Sequence, residues 1–443
     1  MTRPLAALLA CIPLAAQPLS LRDAVKLALA GHPSLEAAAA ETKAAEARIG
    51  QAQAGLRPRV SYTENFTTSN NPVFAFGSLL NQRRFSESNF RIDALNSPGF
   101  VNNFQSQIAA EHTVWDFGAT KASIHGAELG KKRTQENENT LRLHRIAAVA
   151  RTYHLVTLAK ESLSAAGSAV KSAQADLDRA EAVRAAGMST DADVLTIKVH
   201  LAAMREQQVR RKYDLEVAQA ELNESLGAPL DTPRDLSTPL EPTRAPAAAL
   251  DTLESSARTQ RPEFRLVELE RNMADNQRAA ARSALYPQIV ARGMFEADRG
   301  RFVTQAGANW FFGGGLRWNF DAGGGVRKRM EEASQAAAVA KAHEREAASG
   351  IALEVRQARA AVLSANERLE VVNAAVTQAE ESLRIVKNRF EAGLTTVDQL
   401  LRNETALLEA KTRRLAAIYD QRVAAVMLEH ATGTLTGDSD VLQ

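Results

Sequence analysis

Two hydrophobic periods alternate along this chain. From Leu19 to Leu56 apolar residues recur at helical spacing, with Leu21, Val25, Leu29 and Leu35 on one face. Gly118 to Ala186 is a proline-free run of 69 residues, and Gly323 to Ala392 is a matching run of 70. As continuous helix, at 1.5 Å per residue, each would reach roughly 100 Å. No compact globular core needs helices of that length, so they predict coiled-coil-like rods. Alanine is frequent in them, as in Ala37 to Ala40 and Ala336 to Ala338. It favours helix and lets neighbouring helices approach closely.

Two segments switch to a period of two. Trp310, Phe312, Leu316, Trp318 and Phe320 share one face, with Gly314 among them. Asn309, Gly313, Gly315, Arg317 and Asn319 share the other, with Phe311 the exception. Val60, Tyr62 and Phe66 alternate in the same way with Ser61, Thr63 and Asn65. This is the dyad of a strand with one apolar and one polar face. Of the 23 Phe, Trp and Tyr residues, 17 fall within 60–117 and 289–320. Transmembrane β-strands show this dyad with aromatics near the membrane interfaces, and the flanking rods together with an export signal favour them over a sheet covering a soluble core. Each segment reads as two strands around a polar loop, long in the first (about 69–103) and short in the second (near Asp298 to Gln305).

The chain also repeats itself. Pro33 and Pro58 lie 25 residues apart, as do Pro262 and Pro287. From Gly187, Tyr213 and Gly227 follow at 26 and 40 residues, and Tyr419 and Gly433 follow Gly393 identically. The offset between copies is 229 before the strands and 205 after them, so the first copy carries 24 extra residues in its loop. Insertions are cheap at a solvent-facing tip. The predicted organisation is a signal peptide (1–16), a first repeat (17–227) with a hairpin at about 59–117, a Pro-rich linker (228–250), a second repeat (251–433) with a hairpin at about 288–320, and a tail (434–443). The linker's five prolines stop helices.

Charge and composition narrow the function. A net charge of +2 implies no polyanionic partner, and no nucleic acid is expected. No run of 18 apolar residues predicts a spanning helix. The N-terminus, with Arg3 and an apolar stretch from Leu5 to Ala16, reads as an export signal. Three readings are open: cleavage near Ala16, lipidation of Cys11, the single cysteine, in a loose lipoprotein box at Leu8 to Cys11, or a non-exported apolar N-terminus. The eight histidines show no ligand spacing, and the glycine triplets at 313–315 and 323–325 lack a phosphate-loop ending. No metal, cofactor or catalytic residue is predicted.

Four strands in lipid cannot stand alone. An open edge leaves backbone groups unpaired at several kcal/mol each, and transmembrane barrels start at about eight strands. Several chains must therefore share one barrel. Two would leave little room inside, so a channel calls for at least three.

Together these features resemble the TolC-like outer-membrane efflux proteins. The residues that carry the resemblance are Leu19 to Ala24, His32 to Leu35, the junctions Trp115 to Gly118 and Phe320 to Gly323, and Arg389 to Thr396 with its counterpart Arg184 to Thr190. The resemblance implies an α+β membrane protein, in which a long α-helical coiled-coil barrel joins a transmembrane β-barrel with four strands per chain. It implies a homotrimer in the Gram-negative outer membrane, reaching into the periplasm. The protein would be the exit duct of a tripartite efflux pump or a type I secretion system, passing small molecules or polypeptides. Its partners would be a periplasmic adaptor and an inner-membrane transporter, and it would perform no chemistry. The turns at Gly187, Ser189 and Thr190, and at Gly393, Thr395 and Thr396, would be periplasmic tips that dock the adaptor. Asp191, Asp193 and Asp398 follow those turns as gate candidates. Arg402 stands where relatives often carry Asp, so it would pair with a neighbouring acid rather than join an acidic ring. The alternative is a periplasmic coiled-coil adaptor or structural rod, which needs no lipid-facing strands.

Overall fold

The computed structural model describes residues 18–186, 190–243, 248–303 and 306–443. Ten α-helices, three short 3-10 helices and four strands lie among them. The order is α1 (Leu21–Gly31), α2 (Pro33–Gln53), β1 (Arg59–Ser69), α3 (Pro72–Asn81), α4 (Ile92–Asn96), β2 (Val101–Trp115), α5 (Ala119–Ala185) and α6 (Asp191–Leu226). It continues with α7 (Leu250–Gln260), α8 (Pro262–Ser283), β3 (Gln288–Arg299), β4 (Gly307–Arg317), α9 (Gly325–Glu391) and α10 (Val397–Thr432). The two long rods are single helices of 67 residues each, and each is followed by a helix of 36. Among the described residues, no helix is long and apolar enough to cross a membrane.

The chain divides into two compact units. One takes the described residues within Met1–Ala40, Gln135–Leu266 and Glu344–Gln443. The other comprises Glu41–Thr134 and Val267–His343.

The first unit is helical. Its largest core is built on α1, whose Leu21, Ala24, Val25 and Ala28 recur at helical spacing and are fully buried. They pack with Val149, Ala150 and Tyr153 of α5 and Leu222 of α6. The Tyr153 hydroxyl donates to the Leu19 carbonyl (2.7 Å) and accepts from the Thr238 amide (2.9 Å). That ties the Pro-rich segment to the core, where Leu19 also pairs with Leu236. Each 36-residue helix ends on a left-handed glycine, Gly227 or Gly433, which closes the last turn.

The second unit carries an antiparallel sheet in the order β1-β2-β3-β4. The register runs Arg59↔Glu111 to Ser69↔Val101, Phe104↔Arg299 to Trp115↔Ile289, and Gln288↔Arg317 to Asp298↔Gly307. One face gathers Tyr62, Phe66, Phe104, Ile108, Phe295, Trp310 and Phe312. Most of these are exposed, as a lipid-facing surface requires. The other face carries Asn103, Gln105, Gln107, Glu111, Arg292, Glu296, Asp298, Asn309 and Arg317. Glu111 pairs there with Arg292 at 2.9 Å and reaches Arg317 at 3.6 Å.

Two details depart from the sequence expectation. The alternation in Trp318 and Phe320 runs past the end of β4, because the chain must turn there to start α9. Asp321 accepts from the Val326 and Arg327 amides (2.9 and 3.1 Å), as Asp116 accepts from the Gly118 and Thr120 amides before α5 (3.1 and 2.7 Å). The segment at 69–103 is more than a polar loop. It holds α3, with Asn71 as N-cap and Pro72 at the first turn, and α4.

Candidate functional site

The described parts of the helix-hairpin turns are built by capping chemistry. After α9, Gly393 has φ +70°, and the Leu394 amide donates back to the Arg389 carbonyl at 2.8 Å. Glycine adopts that left-handed conformation without a side-chain clash. Thr396 then caps α10 by accepting from the Gln399 amide, and Thr395 bonds the Gln399 side chain. At the other turn Thr190 and Asp193 form a reciprocal box. The Thr190 hydroxyl accepts from the Asp193 amide (3.2 Å), and the Asp193 carboxylate accepts from the Thr190 amide (3.2 Å). Gly187 and Ser189, like Cys11, lie outside the described residues.

The candidate gate charges are engaged with neighbours. Asp191 accepts from Arg184 at 3.0 Å across the turn. Asp398 and Arg402 are one helical turn apart on α10, and the Arg402 Nε lies 2.9 Å from the Asp398 carboxylate. Both are well exposed, so the pair contributes only a few tenths of a kcal/mol to stability. Its larger effect is on charge. Arg402 offsets the charge of Asp398 as Arg184 offsets that of Asp191, while Asp193 is engaged as a cap.

Behind the turns the two hairpins pack together. Ala173, Leu177 and Ala180 of α5 meet Val194, Ile197, Leu201 and Met204 of α6 and Val397, Leu401 and Leu408 of α10. Arg179 ties α5 to Glu391 at the end of α9 (2.6 Å). Within this contact lies a polar cluster that sequence reasoning missed. Asp176 is 5% exposed and meets the Glu404 carboxyl; Ser172 donates to Glu404 at 2.9 Å, and His200 of α6 approaches it at 3.6 Å. Burial first, and the Glu404 carboxylate second, push the Asp176 carboxyl up to about 7. Burial would raise Glu404 too, but His200, Asp176 and Ser172 outweigh it and hold Glu404 below the usual range. The proton of this pair therefore sits on Asp176. A signal was present in the sequence: Asp176 shares the apolar stripe of Ala173, Leu177 and Ala180 at helical spacing.

No group of three or more His, Cys, Asp or Glu among the described residues could hold a metal ion. The arrangement offers rods, capped turns and a two-faced sheet.

The family model for "Outer membrane efflux protein" matches residues 24–228 and 253–434. A curated relative, the "Pyoverdine export outer membrane protein OpmQ" of Pseudomonas putida, is 23% identical over 415 residues, covering 92% of this chain and 84% of that protein. The Campylobacter jejuni CmeC outer membrane channel superposes with a TM-score of 0.80 at 18% identity, covering 95% of this chain and 87% of its own. CusC, described as forming a transmembrane channel, superposes with a TM-score of 0.79 at 17% identity, covering 94% and 93%. The chain belongs to the outer membrane efflux protein family. It is an outer-membrane efflux channel of a Gram-negative cell that extends into the periplasm, a pump's exit duct, with the fold of a helical tunnel joined to a β-barrel. Its family and fold are those of channel proteins.

Proposed function

We propose that three copies of this chain close one twelve-stranded barrel and take cargo from an inner-membrane transporter through a periplasmic adaptor that docks at the hairpin tips. The observation that carries the reading is the open sheet. β1 and β4 are edge strands, and the aromatic face beside them is exposed. In lipid those edges must find partners, and a second and third copy supply them. Family members generally work as trimers with adaptors and inner-membrane pumps.

Within each chain we read two repeats, 17–227 and 251–433, separated by the linker 228–250, with the export signal at 1–16 and the tail at 434–443. Equal lengths of α5 and α9, and of α6 and α10, support that division. The turns at Gly187, Ser189 and Thr190 and at Gly393, Thr395 and Thr396 are the docking tips in this reading. Asp191, Asp193, Asp398 and Arg402 line the periplasmic entrance, which the Arg402–Asp398 pair holds narrow.

The test is assembly and conductance. The detergent-purified protein should have the mass of three chains and open discrete channels in a planar bilayer. Arg402→Ala should raise single-channel conductance and shift selectivity toward cations, because Asp398 is left unmatched. A monomer without channels would refute the duct, and an unchanged conductance in Arg402→Ala would remove that residue from the entrance.

A further inference from the structure

The long connection between β1 and β2 folds back over the sheet on its polar face. Gln82, only 3% exposed, donates to the Asn103 side chain (2.9 Å) and to the Asn102 carbonyl (2.8 Å). Asn103 in turn donates to Asp298 on β3 (2.6 Å). Arg83 donates to the Ala308 carbonyl at the start of β4 (3.2 Å), and Arg84 donates to Gln82 (3.2 Å). Two glycines make room for this contact. A Cβ on Gly307 would run into the Asn81 carbonyl oxygen, and one on Gly300 would meet the Arg84 guanidinium. The segment is stiffened internally by edge-to-face contacts of Phe85 with Phe76 (4.9 Å) and Phe90 (5.1 Å).

Asn103 and Asp298 share the face of Gln105, Gln107, Glu111 and Arg292, which is the water-facing side if the aromatic face meets lipid. They lie at the end of the sheet where β1 leads to β2 and β3 leads to β4. That end faces outward, because the other end runs into the long helices. We infer that residues 72–84 form a second gate, at the extracellular mouth, latched over the lumen by the Gln82–Asn103–Asp298 network. The inference rests on the reading that three chains close a barrel with this face inward.

One feature above all makes the contact a latch rather than a permanent plug. Asp298 is fully buried, yet its second carboxylate oxygen has no hydrogen-bond partner. Lifting the segment would admit water to that oxygen and recover the lost solvation. Arg83, at φ +56°, is the left-handed residue that closes α3, with the Arg84 amide donating back to the Leu79 carbonyl (2.9 Å), so the helix and its end can move as one piece. The closed state is thus held by several hydrogen bonds and opposed by the unsolvated Asp298 oxygen, the balance a two-state element needs.

The test uses an impermeant maleimide added outside intact cells, with Gln107→Cys as a reporter deeper on the polar face and Ile92→Cys, exposed on α4 outside the latched segment, as a control. A small maleimide should label both sites. A polymer-linked maleimide should label the Ile92→Cys site quickly and the Gln107→Cys site slowly. Adding Gly307→Val or Gln82→Ala should speed the slow reaction by about ten-fold or more while leaving the control unchanged. Gln82→Ala removes only side-chain bonds, so it decides the matter if Gly307→Val fails to assemble. Equal polymer labelling with and without Gln82→Ala would overturn the gate. Failure of the small reagent at Gln107→Cys would instead overturn the inward-facing barrel on which the gate depends.

Discussion

Asp176→Asn should abolish a pH dependence in the helices behind the tips. Burial and Glu404 hold the Asp176 carboxyl at about 7 in the folded protein, against about 3.9 in an unfolded chain. Between those values the folded state keeps a proton that the unfolded chain has released. Stability therefore falls as pH rises through this window, and the full penalty is present above about 7. A shift of about three units, after the opposing effect of Lys387 and Arg179, corresponds to about 4 kcal/mol at 1.36 kcal/mol per unit, an upper limit because Glu404 shares the proton. The other groups facing the site are His200 on α6 and Ser172 on α5. From about pH 5.5 to 7.5 the expected loss is about 2 kcal/mol, roughly thirty-fold in local opening. Hydrogen exchange of peptides covering 170–180 and 400–408, corrected for intrinsic rates, reads this directly in the assembled protein. Protection should drop by about that factor in the wild type and stay flat in Asp176→Asn. Parallel pH profiles in the two proteins would refute the shared-proton assignment, and so would protection that rises with pH.

Gly433→Ala should be far more harmful than Gly393→Ala, although both glycines are left-handed. A Cβ on Gly433 would lie 2.8 to 3.0 Å from the backbone of Gln260 and Arg261, whereas one on Gly393 meets open space. The second change costs only the conformational term, about 1 kcal/mol, and the first should cost at least about twice that in thermal unfolding followed by circular dichroism. Arg261→Ala should destabilise the same region by about 3 kcal/mol. The Arg261 side chain is 6% exposed and holds Glu263 at 2.9 Å as well as Glu354, so its loss leaves a half-buried carboxylate unpaired. Adding Glu263→Gln should recover part of that loss, and a double variant no better than the single one would contradict the pairing.

The elements with a local cause were legible in the sequence, and the contacts between distant segments were not. The proline-free runs and their glycine ends give α5 and α9 to within two residues, because capping is decided by neighbours three or four positions away. The dyad gives the strands because alternation is a property of each strand alone. Gln82 and Asp298 are 216 residues apart, and Asp176 and Glu404 are 228 apart. Periodicity reports which face of a helix is apolar and leaves open which neighbour that face meets. What the structure adds is an asymmetry inside the repeat. The offset between the turn glycines is 206, which carries Asp176 onto Ser382 and Glu404 back onto Lys198. Ser382 bonds Asn403 (2.7 Å) and Lys198 pairs with Glu181 (2.9 Å), both on exposed surface. The buried acid pair therefore occurs at one of the two matching positions in each chain. The contact between α5 and α10 carries a carboxyl proton that neutral pH can remove, and the repeat-related positions on α9 and α6 hold a serine and a lysine instead. In the trimer proposed above, the six hairpins would then respond to pH at alternate positions, and loosening would begin where α5 meets α10.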